Sequence, residues 1–341
     1  MPLKHTALEH APEQSLEHRS APATPPFESS ATNTFATRRA AQVRIGISGW
    51  RYKGWRGVFY PDKLAQRREL EFASRQFDTI ELNGSFYSLQ RPQSFAAWNA
   101  ETPEDFQFAI KGSRYITHMR RLREIETPLA NFFAQGLLQL GPKLGPILWQ
   151  FPPNFQFDPD RLASFFALLP RTHKAAAHLA RRGDRLDSGD AEGSDAGTAL
   201  HVAPPPKDTP LRHAIEIRHP SFVSEDFIQF LRRHSIGLVV ADTVEWPLLM
   251  DVTADFVYCR LHGSEQLYAS GYNDRALDIW AQRIANWSQG GEVHDGTRAS
   301  QTDAPQRKAR DIFVYFDNDM KVHAPFDARN LRDRVTRLLA D

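Results

Sequence analysis

Cysteine is almost missing from this sequence. The single thiol, Cys259, excludes an intramolecular disulfide and with it the stapled scaffolds of small secreted domains. Net charge is missing too: 42 Lys and Arg stand against 41 Asp and Glu, a formal +1. No global field therefore draws the chain to nucleic acid or to an anionic membrane, and any preference for anions must come from a local cluster. No apolar run reaches the roughly 20 residues a membrane span needs, and the first residues lack the apolar core of a secretory signal. There is no His-Glu-x-x-His and no cysteine pair, so the familiar metal-spacing signatures are absent. These gaps fit a reducing cytoplasm and exclude membrane-spanning and disulfide-scaffold classes.

What the chain has is apolar material. Over 341 residues, 41% are hydrophobic and 11% aromatic, enough to bury a sizeable core in one large domain or two. Residues 1–41, rich in Ala, Thr, Pro, Glu and His without periodicity, read as a disordered tail. Residues 42–341 read as one domain, interrupted by two polar segments expected to be flexible insertions, at about 173–210 and 289–310.

Within that domain the stretch beginning Thr79-Ile-Glu-Leu-Asn alternates polar and apolar residues as a half-buried strand does, and it carries Glu81 and Asn83 to the strand's C-terminal end. The pattern recurs. Strands are expected at 43–49, 106–111, 146–151, 212–219, 237–242, 256–262 and 311–317, mostly separated by segments with helical spacing. Strand then helix, repeated eight times, predicts a closed α/β barrel, a TIM-like (β/α)8 fold, with a doubly wound open sheet as the alternative. Parity favours closure. Ile215 and Ile217 oppose Glu216 and Arg218; Val257, Cys259 and Leu261 oppose Arg260 and His262; Trp149 and Phe151 oppose Gln150. The polar faces would meet at the C-terminal mouth, where barrel active sites lie.

The motifs Ile45-Gly-Ile-Ser-Gly-Trp50, Phe59-Tyr-Pro61, Glu81-Leu-Asn-Gly-Ser-Phe-Tyr87, Phe108-Ala-Ile-Lys111, Gln150-Phe-Pro-Pro153, Glu216-Ile-Arg-His-Pro-Ser-Phe222, Arg260-Leu-His-Gly263 and Phe316-Asp-Asn-Asp319 occur in this order across about 43–339. In this respect the chain resembles the YecE-like family, the domain of unknown function 72. The resemblance implies a TIM-like barrel and no reaction.

Glu81, Glu216, Asp242, His262 and Asp317 are the candidates for catalysis, because carboxylates and a histidine at one mouth suit general acid–base work or a divalent metal. They equally suit an internal salt-bridge network that only fills the barrel, and residue types alone do not separate these readings. Asn83, Lys111, Arg114, Gln150, Arg218, His219 and Arg260 are the candidates for holding substrate. His219, before Pro220, also fits a turn cap. Lys111, Arg114, His118, Arg120, Arg121 and Arg123 form the densest basic run, suited to a phosphate on a small molecule or a nucleic acid. Trp50, Trp55, Phe86 and Tyr87 fit stacking on a base or sugar, or packing beneath the loops. Two functions follow: a hydrolase or lyase acting on a phosphate- or sugar-bearing substrate, or a non-catalytic binder of a phosphorylated ligand or nucleic acid.

Overall fold

Each of the expected runs forms a strand: β1 (Val43–Ser48), β2 (Thr79–Leu82), β3 (Gln107–Lys111), β4 (Leu144–Gln150), β5 (His213–Glu216), β6 (Gly237–Asp242), β7 (Phe256–Leu261) and β8 (Asp311–Phe316). The computed structural model describes residues 40–184, 208–263 and 267–340. All strand pairs are parallel. β8 returns to β1, with Val43 opposite Ile312 and Ile47 opposite Phe316, so the eight strands close into a barrel in chain order. Closure leaves no strand edge and excludes the open sheet.

The helices cover the outer face: α1 (Glu69–Ser74), the single turn α2 (Gly84–Tyr87), α3 (Pro92–Glu101), α4 (Glu126–Ala134), α5 (Pro159–Leu168), α6 (His173–Ala180), α7 (Glu225–His234), α8 (Asp274–Ser288) and α9 (Ala324–Ala340). α7 shows why such segments form. The Ser224 side chain accepts from the Phe227 N–H, acidic Glu225 and Asp226 sit in the first turn, and Arg232, Arg233 and His234 sit in the last. Each favours the helix at the end of the macrodipole where it lies. Phe227, Ile228 and Leu231 then face the core. None of the helices in the described residues is long and apolar enough to cross a membrane.

Two layers of apolar contact result. The outer one lies between strands and helices and takes one parity of each strand, for example Ile45, Ile80, Ile110, Trp149 and Ile215. The inner one takes the other parity: Ala109, Leu148, Ala214, Val239, Ala241, Phe256, Tyr258, Phe313 and Tyr315. The lumen is lopsided, with small residues on β3, β5 and β6 and rings on β7 and β8. Contacts across it confirm which face is inner. Thr79 on β2 meets the Tyr315 hydroxyl on β8 at 2.8 Å, although these strands are not neighbours. Gly46 on β1 marks the closest approach, since a Cβ there would fall 1.8 Å from the Thr79 carbonyl oxygen.

Two polar segments differ from expectation. Residues 173–180, the start of the first, fold as α6, with the Thr172 side chain accepting from the Ala175 N–H and Ala176, Ala177 and Ala180 buried. Residues 185–207, the rest of that segment up to Lys207, and residues 1–39 of the tail lie outside the described residues. The second segment, 289–310, has no helix or strand, yet it is packed. Between β6 and β7 the described chain forms no helix, and residues 289–310 dock against this connection instead. Asp251 accepts from the N–H groups of Ala299 and Ser300 at 2.8 and 3.0 Å, Met250 N donates to the Thr297 carbonyl at 2.8 Å, and Val293, Ser300 and Ala304 are buried.

Candidate functional site

The inner parity that fills the lumen continues into polar residues at the C-terminal end. Ser48, Lys111, Gln150 and Glu216 end strands β1, β3, β4 and β5, Glu81 and Arg260 lie one residue before the ends of β2 and β7, and His262 and Asp317 follow β7 and β8. They form a deep layer around one guanidinium. Arg260 is only 1% exposed. Its Nε and Nη2 donate to the two oxygens of Glu81 at 3.0 and 2.9 Å. Its Nη1 donates to Glu216 Oε2 at 2.7 Å, and Nη2 also reaches Asp317 Oδ2 at 2.7 Å. The bidentate contact with Glu81 uses the planar fork that lysine lacks.

The carboxylates are saturated from other sides as well. Glu81 accepts from Ser48 Oγ and from the Tyr258 hydroxyl, both at 2.6 Å. Glu216 accepts from Gln150 Nε2 at 2.8 Å and from Arg218 Nε at 3.0 Å. Asn83 Nδ2 donates to Ser48 Oγ at 2.8 Å and so braces the same group. Burial opposes the charge of Asp317, but Arg260 and His262 outweigh it and bring the carboxyl down to about 2. Glu216 behaves alike: burial opposes its charge, and Arg260 and Arg218 still hold it well below the usual carboxylate range. His262 is fully buried. Arg260 Nη1 lies 3.4 Å from its Nε2, which leaves Nδ1 to carry the proton, 3.2 Å from Asp317 Oδ2.

Above this layer opens a cavity of ≈ 390 Å³. Lys111, Gln150 and Arg218 lie at its base, with Arg114, His118, Phe86, Tyr87, Met119 and Tyr268 around it. Among the described residues no carboxylate lines it. Arg218 lies over Trp246, 3.7 Å from the ring centroid. Lys111 is 8% exposed, and among the described residues its ammonium makes no hydrogen bond and no ion pair; it sits 4.4 Å above the centre of the Phe86 ring. Burial, reinforced by Arg260, draws that ammonium down to about 8 against the opposing pull of Glu81, Glu216 and Asp317. His118 is lowered to about 4 by burial and by Arg218, Lys111 and Arg114.

Several residues expected at the mouth do something else. Asp242 points outward to the helices, accepting from Trp280 Nε1 at 3.1 Å, because Val239 and Ala241 hold the inner parity of β6. Arg260, expected to clamp substrate, has spent its donors inside the protein. His262 is buried with Nε2 beside Arg260 and Nδ1 beside Asp317, and it does not line the cavity. His219 caps a turn, its Nδ1 accepting from Ser221 N at 3.1 Å. Trp50 and Trp55 are core residues, 7% and 1% exposed, not stacking platforms. Of the basic run, Arg120 pairs with Glu124, Arg121 bonds to Asn154, and Arg114 faces the cavity. Among the described residues no group of three or more His, Cys, Asp or Glu side chains is placed to hold a metal ion; the carboxylates that reading required are turned toward Arg260.

Ser48, Tyr258, Trp246 and Tyr268 belong to the site and were not anticipated. Tyr258 shares the inner face of β7 with Arg260, so parity contained the signal there, whereas β1 carried no anticipated residue to point to Ser48. Trp246 and Tyr268 lie on irregular loops, where no periodicity points to them.

A closed parallel barrel with its polar side chains gathered at the C-terminal end of the sheet is the architecture of the TIM-barrel proteins. Within that class the chain belongs to the family described as "Protein of unknown function DUF72", which matches residues 44–340. The chain is similar to a DUF72 family protein from Thermotoga maritima MSB8, with a TM-score of 0.64 and 22% identity over 88% of this chain and 100% of that one. It is 21% identical to the UPF0759 protein YecE of Escherichia coli (strain K12) over 72% of this chain and 82% of that protein. To the UPF0759 protein YunF of Bacillus subtilis (strain 168) it is 32% identical over 126 residues, 36% of this chain and 44% of that protein.

Proposed function

We propose that the mouth binds a small phosphate- or sugar-bearing molecule through a negatively charged group and acts on it as a lyase or hydrolase. One observation carries the reading: among the described residues the cavity is lined by the cations Lys111, Arg114 and Arg218 and by no carboxylate, while the acidic groups beneath are turned toward Arg260. An anion entering there meets cations whose charge is not fully consumed, and each charged contact contributes on the order of 1.5–3 kcal/mol. The volume of ≈ 390 Å³ suits one metabolite-sized ligand. Two-carboxylate hydrolysis has the weaker support, since it needs a proton-accepting pair open to substrate, and Glu81 and Glu216 are closed off. A reducing cytoplasm is the compartment the reading assumes, in keeping with a single buried cysteine, Cys259.

A second reading has its own observation. Tyr87, Tyr115 and Met119 are 69%, 44% and 61% exposed beside Arg114, a combination that suits stacking of nucleic-acid bases over a backbone-binding cation. Thermal-shift titration with inorganic phosphate, sugar phosphates and a short single-stranded oligonucleotide, followed by a turnover panel of phosphoesters and glycosides, separates the two. Stabilisation by sugar phosphates with turnover of any of them supports the first reading. Stabilisation by the oligonucleotide alone, without turnover, supports the binder. No shift with any anion refutes both.

A further inference from the structure

Among the described residues two lysines are buried, and they are used differently. Lys143, 7% exposed, donates to the carbonyls of Asn99 and Thr102 at 2.5 and 2.8 Å and to the Thr102 hydroxyl at 3.3 Å. That is how a buried ammonium is ordinarily satisfied. Lys111 is equally buried, but its nitrogen makes no such contact among the described residues, rests against an aromatic face, and lines a cavity. Structure-building does not explain it. Cys259, the other buried nucleophile type, lies on the outer parity of β7 in the core, with its thiol pushed up by burial, and cannot reach the cavity.

We infer that Lys111 is a covalent catalyst whose amine condenses with the carbonyl carbon of a small anionic aldehyde or ketone held in the mouth. The inference rests on the anion-binding reading above. The lone pair of Nζ adds to the carbonyl carbon as the C=O π pair moves to oxygen, which takes up a proton. Loss of that hydroxyl as water and of a proton from Nζ leaves a C=N bond, and no oxidant or reductant is consumed. The environment favours this in three ways. A nitrogen without strong acceptors keeps its lone pair free. Burial and the Arg260 charge below favour the neutral amine, against the opposing pull of Glu81, Glu216 and Asp317. Arg114 and Arg218, on the same cavity, are placed to hold the ligand's anionic group. Once protonated, the C=N bond draws electrons from the adjacent carbon, which is the chemistry a carbon–carbon lyase needs.

The test is reductive trapping. The full chain is incubated with dihydroxyacetone phosphate, or with uncharged dihydroxyacetone, in the presence of cyanoborohydride, and modified lysines are located by peptide mapping. Lys53 and Lys63, both exposed, serve as references in the same map. Lys111 is expected to carry about tenfold more adduct than either reference, only with the phosphorylated ketone, and less when inorganic phosphate competes. In Lys111→Arg the excess should vanish while phosphate still raises the melting temperature. Modification of Lys111 no greater than of Lys53 and Lys63 overturns the inference; if phosphate still stabilises the protein in that case, the anion-binding reading survives. Excess adduct at Lys111 with both ketones and no competition by phosphate keeps the imine chemistry and removes the anion site.

Discussion

The deep layer and the rim of this barrel are made of the same kinds of side chain and behave oppositely. In the deep layer Glu81, Glu216 and Asp317 come from β2, β5 and the end of β8, and one arginine satisfies all three. In the rim Lys111 and Arg114 face a cavity with no carboxylate on its walls among the described residues. The contrast teaches that charged residues at a barrel mouth do not by themselves mark the reacting groups. What marks them is whether their hydrogen-bonding capacity is already spent within the protein. A spent network rigidifies the barrel; an unspent cation is available to a ligand.

Replacing Arg260 is the harshest way to break the comparison. Arg260→Met leaves three buried carboxylates without their common partner, and loss of about 3–5 kcal/mol or more of stability is expected in urea unfolding. A loss below 1 kcal/mol would mean the layer is not held by this pair set.

Lys111→Met should act in the opposite direction. A lysine whose folded value lies near 8, below its ordinary 10.5, is disfavoured in the folded state while charged. The unfolded chain holds that proton more tightly between these values, so stability is expected to rise as pH climbs from about 8 to 10.5. Arg260, Glu81, Glu216 and Asp317 are the charged groups that bear on Lys111. At pH 7 Lys111→Met is expected to be more stable than wild type by about 1–3 kcal/mol, with a flatter profile above pH 8. A destabilised variant with an unchanged alkaline profile would show that Lys111 serves the fold.

Asp317 gives a gentler test of the deep layer. Its folded value of about 2 lies below the ordinary 3.8. Its contribution is therefore present above about pH 3.8 and is lost as pH falls toward 2, an expected loss of about 2 kcal/mol over that window. Asp317→Asn should remove this acid dependence; an acid-unfolding curve identical to wild type would contradict it. The smallest effect belongs to the rim: Arg114→Ala is expected to change stability by less than about 0.5 kcal/mol, because the side chain is exposed and makes no ion pair among the described residues. A larger loss in thermal unfolding would assign it a structural role.

Much of this was legible in the residues. The two-residue period placed Glu81, Lys111, Gln150, Glu216, Arg260 and His262 on the inner face, because each alternates with large apolar neighbours. It failed for Asp242, because Gly237-Leu-Val-Val-Ala-Asp242 is apolar on both faces and offers no parity to read. Composition misread 173–180, where an alanine-rich stretch folds through its cap and the small faces of Ala176 and Ala180. It also misjudged 289–310, whose backbone N–H groups are satisfied by the distant carboxylates of Asp251 and Glu225. That Arg260 binds all three carboxylates depends on distances across the lumen, which no local pattern encodes.

The distinction between spent and available charge is tested most directly by calorimetric titration of wild type and Lys111→Met with inorganic phosphate at low salt. Saturable binding to one site is expected in wild type, weakened about tenfold or more in Lys111→Met, as loss of one charged hydrogen bond implies. Equal affinity in the two folded proteins, or no saturable heat in wild type, would contradict the account.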